Sequence, residues 1–161
     1  MALEIAVETP LQDDVRALIA DLNDAIDAQE PETPQAFNFR MTAEEMARPE
    51  TTVWVARVDG VAVGCAALLR HSNELGEVKR MFLRPAARGI GVAGRILRAI
   101  EDRAEAEGIR RIALETGGEG YAAARRLYER NGYVRRGPFA DYPDNPYSIF
   151  YEKTLSRETA A

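Results

Sequence analysis

The stretch TTVWVARVDGVAVGCAALLRH, residues 51–71, limits the possible folds more than any other. Two runs rich in apolar and β-branched residues meet at Asp59-Gly60, a pair that accepts the positive φ angles of a tight two-residue turn. A hairpin follows, and with it an antiparallel pair at the centre of whatever sheet the chain builds. A further run, GEVKRMFLR (76–84), extends that sheet, antiparallel to the strand ending near His71. A doubly wound parallel sheet is therefore disfavoured from the start.

The remaining elements fall in order around this hairpin. LEIAVETP alternates and ends at Pro10, which predicts a first strand at about 3–8. Leu11, Val15, Leu18, Ile19, Leu22 and Ile26 then recur at helical spacing, with Asp13 and Asp14 favourably placed in the first turn and Pro31 and Pro34 as stops. Thr42 followed by Glu45 is a capping-box pattern for a short helix. Val92, Ile96, Leu97, Ile100 and Ala104 line one face of a helix that Gly108 ends. RRIALET predicts a strand, YAAARRLYERNG a helix, and YVRRGPF and YSIFYEKTL two closing strands. The order β-α-α-β-β-β-α-β-α-β-β implies an α/β (α+β) fold with a mixed, mostly antiparallel sheet flanked by helices. A single domain over 1–161 is expected, with 155–161 a flexible tail.

Between the third strand of this core and the helix after it lies RPAARGIGVAG, with Gly89, Gly91 and Gly94. Gly89-x-Gly91-x-x-Gly94 matches a dinucleotide fingerprint, and Glu115 lies 21 positions beyond Gly94, near the roughly 20 at which an acidic residue meets a ribose. That reading makes the protein an NAD-dependent oxidoreductase. It requires the glycines directly after a buried parallel strand, whereas here they follow a hairpin and a strand carrying Glu77, Lys79, Arg80 and Arg84. A P-loop lacks its Lys-Ser/Thr pair. What survives is either a glycine turn without a ligand or an anion site, in which unpaired N–H groups at a helix start face a group such as a pyrophosphate.

Charge supports an anion there. Residues 1–60 hold 4 basic and 13 acidic groups, whereas residues 77–136 hold 14 and 8, although exposed Arg could equally be solvating two helices. The overall balance of −5 and the lack of an aromatic-plus-basic strand motif speak against nucleic acid. With one Cys65 and one His71 there is no zinc-ligand cluster and no internal disulfide, so no metal is expected. The longest apolar run is far too short for a membrane span, and the N-terminus does not read as a signal peptide. The expectation is a soluble, cytoplasmic protein, monomer or homodimer.

Arg88-Gly89-Ile90-Gly91-Val92-Ala93 resembles the R/Q-x-x-G-x-G/A motif of the GCN5-related N-acetyltransferase (GNAT) superfamily. GEVKRMFLRPAARG is similar to that family's fourth strand, ALET to its fifth, AAARRLYERNGY to its A-x-x-LY-x-x-x-GF helix, and PDNPYSIFYEKTL to its closing strand. The likeness spans roughly residues 52–155 in these motifs, and earlier residues only in element order. It implies a GNAT-like acyl-CoA N-acyltransferase fold. It further implies that acetyl-CoA is the co-substrate, its pyrophosphate held by main-chain amides of Arg88, Gly89, Ile90, Gly91, Val92, Ala93 and Gly94. The pantetheine arm would pair with the backbone of Met81, Phe82 and Leu83.

The resemblance also implies roles for two side chains. Tyr128 occupies the position of the family's general acid, which protonates the departing thiolate. On periodicity alone it reads as a core aromatic. Glu77, eleven residues before Arg88, matches the base of some relatives, others relying on water. Its neighbour Lys79, on the same strand face, could instead make it half of a surface salt bridge. Tyr121 departs from the pattern, since many relatives carry Asn or Gln there. His71 and Cys65 are given no role, Cys65 being expected as a small core residue. A non-catalytic acyl-CoA sensor would need the same loop without the acid and base. The acceptor region falls at about 25–45 and 137–147, where Phe37, Phe39, Arg40, Met41, Phe139, Tyr142 and Tyr147 suit a small amine such as an amino acid. The acidic first sixty residues suit a polyamine or basic peptide instead.

Overall fold

The computed structural model describes residues 2–37, 39–118 and 121–155. The hairpin forms as expected. β2 (Thr51–Val58) and β3 (Val61–Arg70) are joined by Asp59 and Gly60, both at positive φ, as a type I′ turn demands. β1 (Leu3–Val7) pairs antiparallel with β2, and β4 (Leu75–Leu83) pairs antiparallel with β3. β5 (Arg111–Gly117), β6 (Val134–Arg136) and β7 (Ser148–Thr154) complete a seven-stranded sheet of order β1-β2-β3-β4-β5-β7-β6.

One junction in this sheet is parallel. β4 meets β5 through three residue pairs only, Leu75 with Arg111, Gly76 with Ile112 and Glu77 with Ala113. Beyond Glu77 the two strands run on without pairing, and the sheet opens into a wedge. A second irregularity sits beside it. Phe82 faces Cys65 and Lys79 faces Ala67, so Arg80 and Met81 together oppose Ala66. This β-bulge puts Arg80 at φ 58°, a left-handed conformation more natural to glycine.

Helices cover both faces. α1 (Asp13–Gln29) buries Val15, Leu18, Ile19 and Leu22. Leu11, expected on that face, precedes the helix and is exposed, because the chain turns at Pro10 before Asp13 begins the helix. The short α2 (Ala43–Met46) carries the full capping box, with Glu45 N–H donating to Thr42 Oγ1 and Thr42 N–H to Glu45 Oε1. α3 (Val92–Ala106) buries Val92, Ile96, Leu97, Ile100 and Ala104 completely, all five of the expected stripe. They pack with Trp54, Leu68, Ile112, Leu114 and Tyr151 into the main core. α4 (Ala122–Arg130) follows β5 in the chain and buries Tyr128, whose ring meets that of Tyr151 on β7.

Cys65 is part of the core under α1, and burial pushes its thiol up to about 12, which removes it as a nucleophile. Among the described residues no helix is long and apolar enough to cross a membrane, and no cluster of three His, Cys, Asp or Glu could hold a metal ion. Of the expected tail, 155–161, Leu155 is instead buried in the main core, its N–H donating to Arg110 O at 2.8 Å, and 156–161 lie outside the described residues.

Candidate active site

The wedge between β4 and β5 holds a cavity of about 160 Å³. Its walls are Glu77 to Met81 of β4 and Glu115, Thr116 and Gly117 of β5. Leu22 and Ile26 of α1 close one side, and Tyr121, just before α4, with Ala124 and Tyr128 of α4 close another. Phe37, Phe39 and Arg40 also line it. The sheet produces this opening by withholding pairs. The edge of β4 that faces the gap keeps main-chain groups without a strand partner past Glu77. Met81, Phe82 and Leu83 lie on this open segment, with Phe82 and Leu83 paired to β3 on the other edge.

At the far end of β4 the chain turns through Pro85–Ala87 into the glycine loop. Gly89 and Gly91 both have φ 81°, and Gly91 caps α3 from the left-handed region. Among the described residues, the amides of Gly89, Ile90, Gly91, Val92, Ala93 and Gly94 have no hydrogen-bond acceptor, and the first helical bond runs from Arg95 N–H to Gly91 O at 3.2 Å. The loop from Arg88 to Gly91 is exposed. Unpaired N–H groups at the positive end of a helix dipole form an anion site. Arg88 stands beside it, its Nε donating to Leu83 O at 3.2 Å. The same strand that lines the wedge thus leads the chain into this loop.

Glu77 is not a surface group. It is 1% exposed, and His71 Nε2 lies 2.7 Å from its Oε1 while the Tyr142 hydroxyl donates to its Oε2 at 2.6 Å. Lys79 sits 3.6 Å from Oε2 and donates to Tyr142 Oη at 2.7 Å and to Phe39 O at 3.2 Å. The surface salt bridge admitted for Glu77 and Lys79 is therefore corrected to a buried network, because the 137–147 loop folds over the strand. His71 was given no role and Tyr142 only a place near the acceptor. Both are direct partners of Glu77, brought there by contacts 6 and 65 residues distant in sequence.

Tyr128 is buried, in ring contact with Tyr133 and Tyr151, and it lines the cavity. The ring is part of the core, as periodicity alone suggests, and the residue also borders the wedge. Burial raises its pKa, with Glu115 adding to the rise, so the hydroxyl keeps its proton at any working pH. Tyr121 packs against Gly117, leaves no room for a Cβ there, and fills cavity wall.

Glu115 is not positioned for a ribose. It faces the wedge from β5, and burial raises its carboxyl to about 7, opposed by a hydrogen bond with Ser148. The strand before the glycines is antiparallel to β3, so the parallel doubly wound half that a dinucleotide site needs is absent from this sheet. Arg80, passed over in the sequence, is 8% exposed and also lines the cavity. A basic residue in a strand gives no warning of this, because the bulge that turns it inward depends on pairing with β3.

A model of the family described as Acetyltransferase (GNAT) matches residues 19–133. The chain belongs to this GNAT acetyltransferase family. Over 153 residues, 94% of this chain and 97% of the relative, the acetyltransferase is 41% identical to the IAA acetyltransferase of Azospirillum brasilense. It is 33% identical over 141 residues to the uncharacterized N-acetyltransferase YsnE of Bacillus subtilis (strain 168), covering 87% of this chain and 93% of that one. A solved structure from Klebsiella pneumoniae subsp. pneumoniae MGH 78578, described as an acyl-CoA N-acyltransferase, superposes with a TM-score of 0.78 at 31% identity, over 96% of this chain and 98% of the other. The GNAT architecture, a mostly antiparallel sheet splayed at one parallel junction, is the one the chain adopts.

Proposed function

We propose that this acetyltransferase moves the acetyl group of acetyl-CoA directly to the primary amine of a small molecule. The observation that carries the reading is the run of acceptor-free amides from Gly89 to Gly94, at a helix start reached from the wedge along β4. A diphosphate satisfies those amides, and a pantetheine amide chain laid along Met81, Phe82 and Leu83 satisfies the open strand edge. The thioester then reaches the cavity. The neutral amine nitrogen attacks the carbonyl carbon, the oxygen gains charge beside β4 amides, and the C–S bond breaks as the tetrahedral centre collapses. Glu77 takes the ammonium proton, directly or through water, and its contact with half-exposed His71 offers a route outward. Tyr128, held protonated by burial, gives its proton to the departing thiolate.

The test is a two-part titration. Acetyl-CoA added to isotopically labelled protein should shift the amide resonances of residues 89–94 most, and unmoved resonances there would refute the cradle. Thiol release should then rise with added amine. Tight cofactor binding without amine-dependent release would identify a sensor instead.

A further inference from the structure

The cavity's own charges narrow the acceptor. Of the cations on its wall, Arg40 is paired with Asp27 and Lys79 lies 3.6 Å from Glu77. Arg80 is different. Among the described residues its guanidinium meets no carboxylate, its Nη2 donates to the neutral Asn23 Oδ1, and its Nε is buried without any partner. Burial lowers it to about 10, as expected for a cation held without a counter-charge. Holding it there also requires the left-handed backbone of the bulge. On the opposite wall Glu115 has no ion pair among the described residues either. Among the described residues the cavity thus presents one cation without a carboxylate partner, Arg80 beside α1, and two carboxyls outside any ion pair. These are Glu115 on β5, offset by a hydrogen bond with Ser148 and the field of Lys79, and Glu30, which accepts from Thr33 Oγ1 and Gly118 N–H. Apolar Leu22, Ile26 and Phe37 line it as well.

We infer that Arg80 is an anion-recognising residue for the acceptor, which is an amino acid with an apolar side chain: its carboxylate meets Arg80 and its amine faces the acidic wall of Glu115 and Glu77. The assignment rests on the acetyltransferase reading above and selects within it. A polyamine would bring a second cation against an unpaired guanidinium and is disfavoured. A carboxylate supplies the acceptor that the guanidinium lacks, in the charge-assisted form that Arg favours.

The test compares L-phenylalanine and L-methionine with their carboxamides, phenethylamine and spermidine, in wild type and in Arg80→Asn. Asn tolerates the left-handed backbone of the bulge, so the variant should fold, and calorimetry with acetyl-CoA verifies that it does. Wild type should prefer the amino acids over their carboxamides by about 10- to 100-fold in kcat/KM, mostly through KM. In Arg80→Asn that ratio should fall to near one. Binding of the same compounds to the CoA-loaded protein gives a readout independent of turnover. A wild type that treats acid and carboxamide alike, prefers spermidine, or keeps its preference in Arg80→Asn overturns the assignment of Arg80. Failure of acetyl-CoA to bind at all overturns the acetyltransferase reading instead.

Discussion

Individual side chains in the wedge are set apart by their surroundings. Burial raises the pKa of both Tyr128 and Glu115, and Glu115 adds to the rise at Tyr128, yet the consequences are opposite. The tyrosine stays protonated, whereas the carboxyl, raised to about 7, changes charge near neutrality. Replacing Tyr128 by Phe should lower kcat by about 10²-fold or more with little change in the KM for acetyl-CoA, measured by thiol release. For Glu115 the sign is that of an acid whose folded pKa lies above its unfolded one. Its contribution to stability is whole below pH 4.5 and is lost as pH rises through about 7. Glu115→Gln removes this loss, so urea melts should show the variant gaining on wild type across that window, by roughly 3 kcal/mol at its upper end.

Elements explain which parts of this arrangement were legible beforehand. The stripe of α3, the capping box of α2 and the Asp59-Gly60 turn are local patterns, and each appears where the residues placed it. The glycine loop was equally readable, since Gly89 and Gly91 occupy backbone that other residues avoid. Gly91→Ala tests this, because nothing lies within 4 Å of the added Cβ and any penalty comes from backbone strain alone. The expected result is a loss of about 1 kcal/mol in stability and a weaker acetyl-CoA complex by calorimetry. His71, Tyr142 and Arg80 were not legible in their roles. His71 and Tyr142 gain theirs from one carboxylate reached by separate loops, and Arg80 from a bulge defined only against β3. Periodicity carries no information about such meetings. Leu11 failed for a simpler reason, since a helical spacing can begin before the helix does.

At the scale of the molecule, the cofactor would touch both the sheet and the helix that packs on it. Acetyl-CoA at about 100 times its Kd should add about 2.7 kcal/mol to stability, raising Tm by roughly 5–10 °C in a calorimetric scan. Hydrogen exchange should slow most along residues 78–83 and 89–94. Slowing confined to α1 or β1 would contradict the placement. The three-pair junction of β4 and β5 has a consequence for the covalent chain as well. The strands before Gly108, β1 to β4, form one bank of the wedge, and the strands after Ile109, β5 to β7, form the other. A nick in the turn between α3 and β5 would cut no element and leave two contiguous fragments, each with its own share of the sheet. Reassembly of such a pair, clasped by the thioester lying between them, would make the enzyme a split reporter for its own donor.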